Sequence, residues 1–150
     1  MCQKIIGNRK LSNRLRTAGC DYLFSFADFC PKQLGSKDVL LKQVVETVCL
    51  TCSEPYHHKE DDDEERGELV QEIALWLIET LAMTIKPKKI YPVLFEAAVA
   101  LINSEDINKM NTGFLVLGAM CEGCSEKIKK NLQNPIMNVL IPKGLNHGAP

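Results

Sequence analysis

Apolar residues recur at steps of three and four along most of the chain, which is the period of an amphipathic helix. Strict alternation of apolar and polar positions never persists, and no Asn-Gly or Asp-Gly turn joins two β-branched runs, so strands are not expected. A first helix is expected from about Leu11 to Phe29, with Leu15, Gly19, Tyr22, Phe26 and Phe29 on one face and Pro31 as its stop. A second starts near Ser36, an N-cap followed by Asp38, and buries Leu40, Leu41, Val44, Val45, Val48 and Cys52 before Ser53. A third spans about Glu68 to Ile85 on Leu69, Ile73, Leu77 and Leu81, with Val70 and Trp76 widening the face and Pro87 marking its end. The fourth opens at Tyr91 with Pro92 in its first turn, carries Leu94, Ala97, Ala98 and Leu101 inward, and closes around Asn103 to Glu105. The fifth runs from about Asp106 to Cys124 on Met110, Phe114, Leu117 and Cys121, and its Gly113, Gly118, Ala119 and Gly123 suit close helix contact. A short turn over Ser125 to Asn131 and a stretch opened by Pro135, with Ile136, Met137, Val139, Leu140 and Leu145, make the sixth.

Six helices make three pairs, at about 11–53, 68–104 and 106–146. Pro92-Val93-Leu94 and Pro135-Ile136-Met137 hold the same place in consecutive second helices, 43 residues apart. Ser53-Glu54 and Ser104-Glu105 close the first two pairs, and the longer spacing there fits an insertion over 54–67. A period near 43 lies within the about 40 to 47 residues of HEAT and armadillo repeats and exceeds that of tetratricopeptide or ankyrin repeats. An amphipathic hairpin cannot bury both faces alone, whereas stacked hairpins share a core. The expected fold is therefore all-α: an α-solenoid, a right-handed superhelix of about three HEAT repeats, with a plain six-helix bundle as the alternative.

The insertion changes the charge picture. Residues 54–68 hold eight acids against two bases, a net −6, which leaves +5 for the rest of a chain of net charge −1. Apart from Tyr56 the stretch has no large apolar residue, so an exposed acidic loop is expected. The remainder, in a chain 45% hydrophobic and 25% charged, is rich enough to bury a core. With no basic surplus, direct nucleic-acid binding is not favoured. No apolar stretch approaches the ~18–20 residues of a membrane span. Met1 to Lys10 has neither an apolar core segment nor a cleavage-site pattern, so a secretory signal is not expected.

Seven cysteines, an odd number set mostly in apolar helical patterns, point to a reducing compartment and small buried side chains. Cys49/Cys52 and Cys121/Cys124 are Cys-x-x-Cys pairs, but both lie in helical patterns and too far apart for a zinc ribbon, so core cysteines are the preferred reading over a metal site. His57-His58 beside the acids reads as solvated loop before it reads as a metal site. Phosphate-binding glycine loops and Gly-x-Ser-x-Gly are absent from the sequence. No enzyme, cofactor or metal site is expected. The candidate partner-binding residues are Glu60, Asp61, Asp62, Asp63, Glu64 and Glu65, six consecutive acids that present a dense negative surface to Lys/Arg-rich partners. A loop that only aids solubility is the other reading. Trp76 reads as core beside Leu69, Ile73 and Leu77, with an exposed partner anchor as its alternative.

Asn13-Arg14-Leu15-Arg16, the acidic insertion, Lys88-Lys89-Ile90-Tyr91-Pro92-Val93-Leu94, and the run from Thr112 to Ile128 together resemble the importin-β (karyopherin-β) family, nearest to its importin-four and importin-five branches. The similarity covers about Leu11 to Asn146 and is a pattern over helices, without a catalytic motif. It implies an internal fragment of a HEAT-repeat nuclear import receptor that shuttles between cytoplasm and nucleus. Its implied partners are protein cargo with basic nuclear-localisation signals, the GTPase Ran in its GTP form, and Phe-Gly repeats of nucleoporins. It also implies that an acidic loop contacts Ran or basic cargo. A generic HEAT scaffold in another multiprotein complex is the alternative.

Overall fold

The computed structural model describes residues 1–55 and 69–146. Among the described residues the ordered backbone is helical throughout, without strands. The helices are α1 (Cys2–Ile6), α2 (Asn13–Phe29), α3 (Pro31–Gly35), α4 (Asp38–Cys52), α5 (Val70–Thr84), α6 (Pro87–Ile102), α7 (Ile107–Gly123) and α8 (Ser125–Asn131). A loosely wound stretch, Leu132–Leu140, leads into α9 (Ile141–Asn146). It is interrupted at Asn134, whose φ of −143° and ψ of 121° are extended, as the residue before Pro135 prefers.

Local chemistry sets these bounds. Ser12 caps α2 by accepting the Leu15 amide at 3.4 Å, and Asp106 caps α7 by accepting the Asn108 amide at 2.9 Å. Pro87 both follows the end of α5 at Thr84 and opens the next helix. At the first helical position its missing N–H costs nothing, so α6 begins there and Pro92 falls inside it. Pro31 opens α3 in the same way, where the sequence suggested only a stop.

The helices stack in two layers, an α-solenoid. One layer is α2, α5 and α7, packed in that order. The other holds α1, α4 and α6, with the chain from Leu132 onward running back along α6. Polar ties record the parallel course of this second layer. Lys89 pairs with Asp38 at 2.8 Å, joining the first turns of α6 and α4. Asn131 donates to the Tyr91 hydroxyl at 2.7 Å, and Lys143 donates to Asn103 at 2.7 Å, so Leu132–Asn146 is tied to both ends of α6. Between layers, α1 packs on α2, α4 on α5, and α6 on α7. The five-residue α3, wedged between α2 and α4, keeps those two apart.

The core lies between the layers. Helix α5 touches α2, α4 and α7 at once, and buries Val70, Ile73, Ala74, Leu77, Ile78, Leu81 and Ala82. Leu41, Val44, Val45 and Val48 of α4 meet it, as the apolar pattern of that helix predicts. Each such Leu, Ile or Val contributes about 1.5–3 kcal/mol of burial.

Two faces differ from expectation. In α2 the inward residues are Arg16, Gly19, Cys20, Leu23 and Ala27, while Leu15, Tyr22 and Phe29 are exposed. The small residues win that face because they let neighbours close in: a Cβ on Gly19 would lie 3.0 Å from Ile6. In α7, Gly113 and Gly123 are true close contacts, with Gly123 against the backbone of Ala82 and Met83, but Gly118 faces open space.

That difference sets a paired test. Gly123→Ala overpacks the α5–α7 contact and should cost about 2 kcal/mol in urea unfolding. Gly118→Ala, which meets nothing, should gain about 0.5–1 kcal/mol by removing a mid-helix glycine.

Candidate partner-binding surface

Glu60, Asp61, Asp62, Asp63, Glu64 and Glu65, together with His57 and His58, lie outside the described residues. The described residues show how the two ends of that acidic stretch are held. At the end of α4, Ser53 Oγ donates to the Cys49 carbonyl at 2.8 Å. Next to it, the Glu54 carboxylate takes a two-pronged bond from Arg16, whose Nη1 and Nη2 lie 2.8 and 2.6 Å away. Arg16 Nε donates to the Ile6 carbonyl at 2.7 Å. Arg16 is only 3% exposed, so this pair joins α1, α2 and the start of the acidic stretch beneath the surface. Arg9 adds an exposed contact to the same carboxylate at 3.2 Å. From the far end, Gln71 Nε2 donates to the Pro55 carbonyl at 3.5 Å, and Cys52 Sγ lies 3.6 Å from the Gln71 carbonyl. Both ends of the stretch are thus pinned at one edge of the stack.

The outward face of the α2, α5 and α7 layer supplies a second feature. Trp76 stands on it, 46% exposed, correcting its reading as core. Helix α5 is gripped on three sides, so its free face is a narrow row of Glu72, Trp76, Glu79 and Met83. The row places a carboxylate one turn before and one turn after the indole. Helix α5 carries no lysine or arginine. The adjacent α2 adds exposed Asp21.

A third feature lies on the other layer. Between α4 and α6 is a groove of about 110 Å³ with Val45, Val93, Ala97 and Ala100 in its lining. Lys42 and Glu96, paired at 2.8 Å, stand at its rim.

The cysteine pairs do not come together. Cys49 is buried in α4, Cys124 is buried at the end of α7, and Cys121 is exposed one turn before it. Among the described residues no three metal-ligating side chains converge. Burial, with Asp21 nearby, pushes the Cys20 thiol up to about 11. Burial, with Glu46 nearby, pushes Cys49 up to about 12. Burial also raises Cys52, helped by its neighbours Cys49 and Cys20. These three therefore stay protonated at neutral pH and behave as packing groups.

No protein-family model matches the chain. It is 30% identical over 90 residues to importin-4 of Mus musculus, covering 58% of the chain. It is 29% identical over 94 residues to importin-4 of Homo sapiens, covering 57%. The chain spans only 8% and 9% of the length of these relatives. Its fold matches Kap121p bound to Pho4p with a TM-score of 0.80 at 19% identity, over 94% of this chain and 14% of that one. Kap121p bound to RanGTP matches at 0.78 with 18% identity, over 94% and 15%. Kap121p bound to Nup53p matches at 0.75 with 18% identity, over 96% and 15%.

Two outcomes follow from the geometry. Arg16→Met leaves the Glu54 carboxylate with only the exposed Arg9 and should cost about 3 kcal/mol in urea unfolding, while Glu126→Gln, in an exposed pair with Lys129, should cost under about 1. In the native state iodoacetamide should label exposed Cys121 first and leave Cys20, Cys49 and Cys52 until the chain unfolds; mass spectrometry of timed digests reads the order.

Proposed function

We propose that this chain, a HEAT-repeat segment of the importin-β type, is a stretch of a nuclear import receptor that holds protein cargo with basic nuclear-localisation signals. The observation that carries the reading is the exposed row on α5, with Trp76 between Glu72 and Glu79. A lysine or arginine laid over the indole gains a cation–π contact of about 0.5–1 kcal/mol. The flanking carboxylates take its charge and that of a neighbouring basic residue. A basic segment crossing the layer would meet Asp21 of α2 next. The acidic run Glu60 to Glu65 adds long-range attraction.

The other partners of this reading are Ran in its GTP form and nucleoporin Phe-Gly repeats, and the receptor shuttles between cytoplasm and nucleus. Kap121p, of matching fold, binds RanGTP and Nup53p in its structures, which supports Ran and nucleoporins as kinds of partner. The groove between α4 and α6 suits a single aromatic ring: it is apolar within, with the Lys42–Glu96 pair beside it.

The test is binding of a labelled lysine-rich signal peptide by fluorescence anisotropy. Trp76→Ala with Glu72→Lys and Glu79→Lys should weaken it at least about tenfold and flatten its salt dependence. Reversing Asp61 to Glu65 should weaken it further. Unchanged binding in both variants, with no capture of Ran-GTP, would leave a generic HEAT scaffold.

A further inference from the structure

Eight of the chain's fourteen lysines, and none of its three described arginines, lie at the edge of the stack opposite Glu54 and Gln71. They sit in the three turns that lead into the second layer. Lys32 and Lys37 precede α4. Lys86, Lys88 and Lys89 open α6. Lys127, Lys129 and Lys130 lie on α8, ahead of Leu132. All eight are exposed. The turns lie side by side: the Lys89–Asp38 pair at 2.8 Å joins the first to the second, and the Asn131–Tyr91 bond at 2.7 Å joins the second to the third.

The charge is largely unspent. Of these eight lysines only Lys89, on Asp38, and Lys129, on Glu126, have a carboxylate within ion-pair distance among the described residues. The acids at this edge are Asp28, Asp38, Glu122 and Glu126, so eight lysines leave a surplus of four positive charges. The placement also works against helix stability. Lys37 and Lys86 occupy the N-caps of α4 and α6 and make no capping bond there, where the helix dipole favours an acid. A surface arranged only to keep the fold soluble and stable would not concentrate one sign at helix starts.

We propose that this lysine edge docks an extended acidic segment of a partner protein. Packed helices lie about 8–10 Å apart, and an extended chain rises about 3.3 Å per residue. Carboxylates at every third residue of such a segment therefore meet successive turns. Two observations favour an acidic peptide over nucleic acid. Among the described residues the edge holds no arginine for bidentate phosphate or base contacts. The chain as a whole is slightly acidic, at −1. The edge is separate from the α5 row, so this inference does not depend on the basic-cargo reading.

The experiment measures a labelled oligoglutamate peptide against the chain and against a variant with Lys86→Glu, Lys88→Glu, Lys127→Glu and Lys130→Glu. A second variant carries glutamine at the same four positions. The peptide should bind the native chain with affinity that falls steeply as salt rises. The glutamine variant should bind at least about tenfold more weakly, and the glutamate variant not measurably. The melting temperature of both variants should stay close to that of the native chain, because Lys86, Lys88 and Lys127 are lost from helix starts and only Lys130 from a helix end. Wild-type affinity in either variant overturns the proposal, and so does duplex DNA that binds the native chain more tightly than the peptide does.

Discussion

The structure depends on the burial of α5 on three sides. Leu77, Ile78 and Leu81 of that helix are fully shielded from water, and no single neighbour does the shielding: α2, α4 and α7 each cover part. A helix so placed ties the two layers together and fixes the order of the stack. It also dictates what is left over. With three flanks occupied, α5 can present only one narrow row outward, and that row is where Trp76 and its flanking carboxylates stand. The burial that holds the fold and the exposed face proposed to bind cargo are two sides of the same fifteen residues.

Charge follows the same geometry. The chain crosses between layers at two opposite edges, so residues in alternate turns collect on the same side. One edge gathers the ends of the acidic stretch, tied down by the buried Arg16–Glu54 pair. The other gathers lysines. Such segregation is a natural outcome of a solenoid, where a short sequence feature repeated at each turn becomes a continuous stripe. The buried pair is costly to desolvate and more costly to break, and its role is to hold the acidic stretch against α1 and α2.

Much of the architecture could be read from periodicity. Most of the inward positions expected on α4 and α5 follow three- and four-residue steps and are buried accordingly, whereas Leu40 at the start of α4 is exposed. What failed to show was whatever depends on distant partners. In α2 both sides of the helix are apolar, and only the approach of Ile6 and α5 selects the small-residue side over Tyr22 and Phe29. Nothing in the sequence marks Arg16 as buried, because its partner, Glu54, is 38 residues away. Trp76 was assigned to the core from its neighbours on the helical wheel, yet three-sided packing of α5 pushed it to the one free face. The lysine edge was invisible because its three turns are far apart in sequence and meet only in the stack. The acidic run was plain in the sequence, and its binding role is part of the proposal.

The central claim is that α5 holds the stack together while its outer row meets a basic ligand. Hydrogen exchange read residue by residue, with and without a lysine-rich signal peptide, tests both halves at once. The account predicts that the α5 amides are the slowest to exchange in the free chain. It also predicts that added peptide slows exchange in α2, α5 and α7 and leaves α4 and α6 unchanged. Faster exchange in α5 than in its neighbours, or peptide protection centred on α4 and α6, would contradict it.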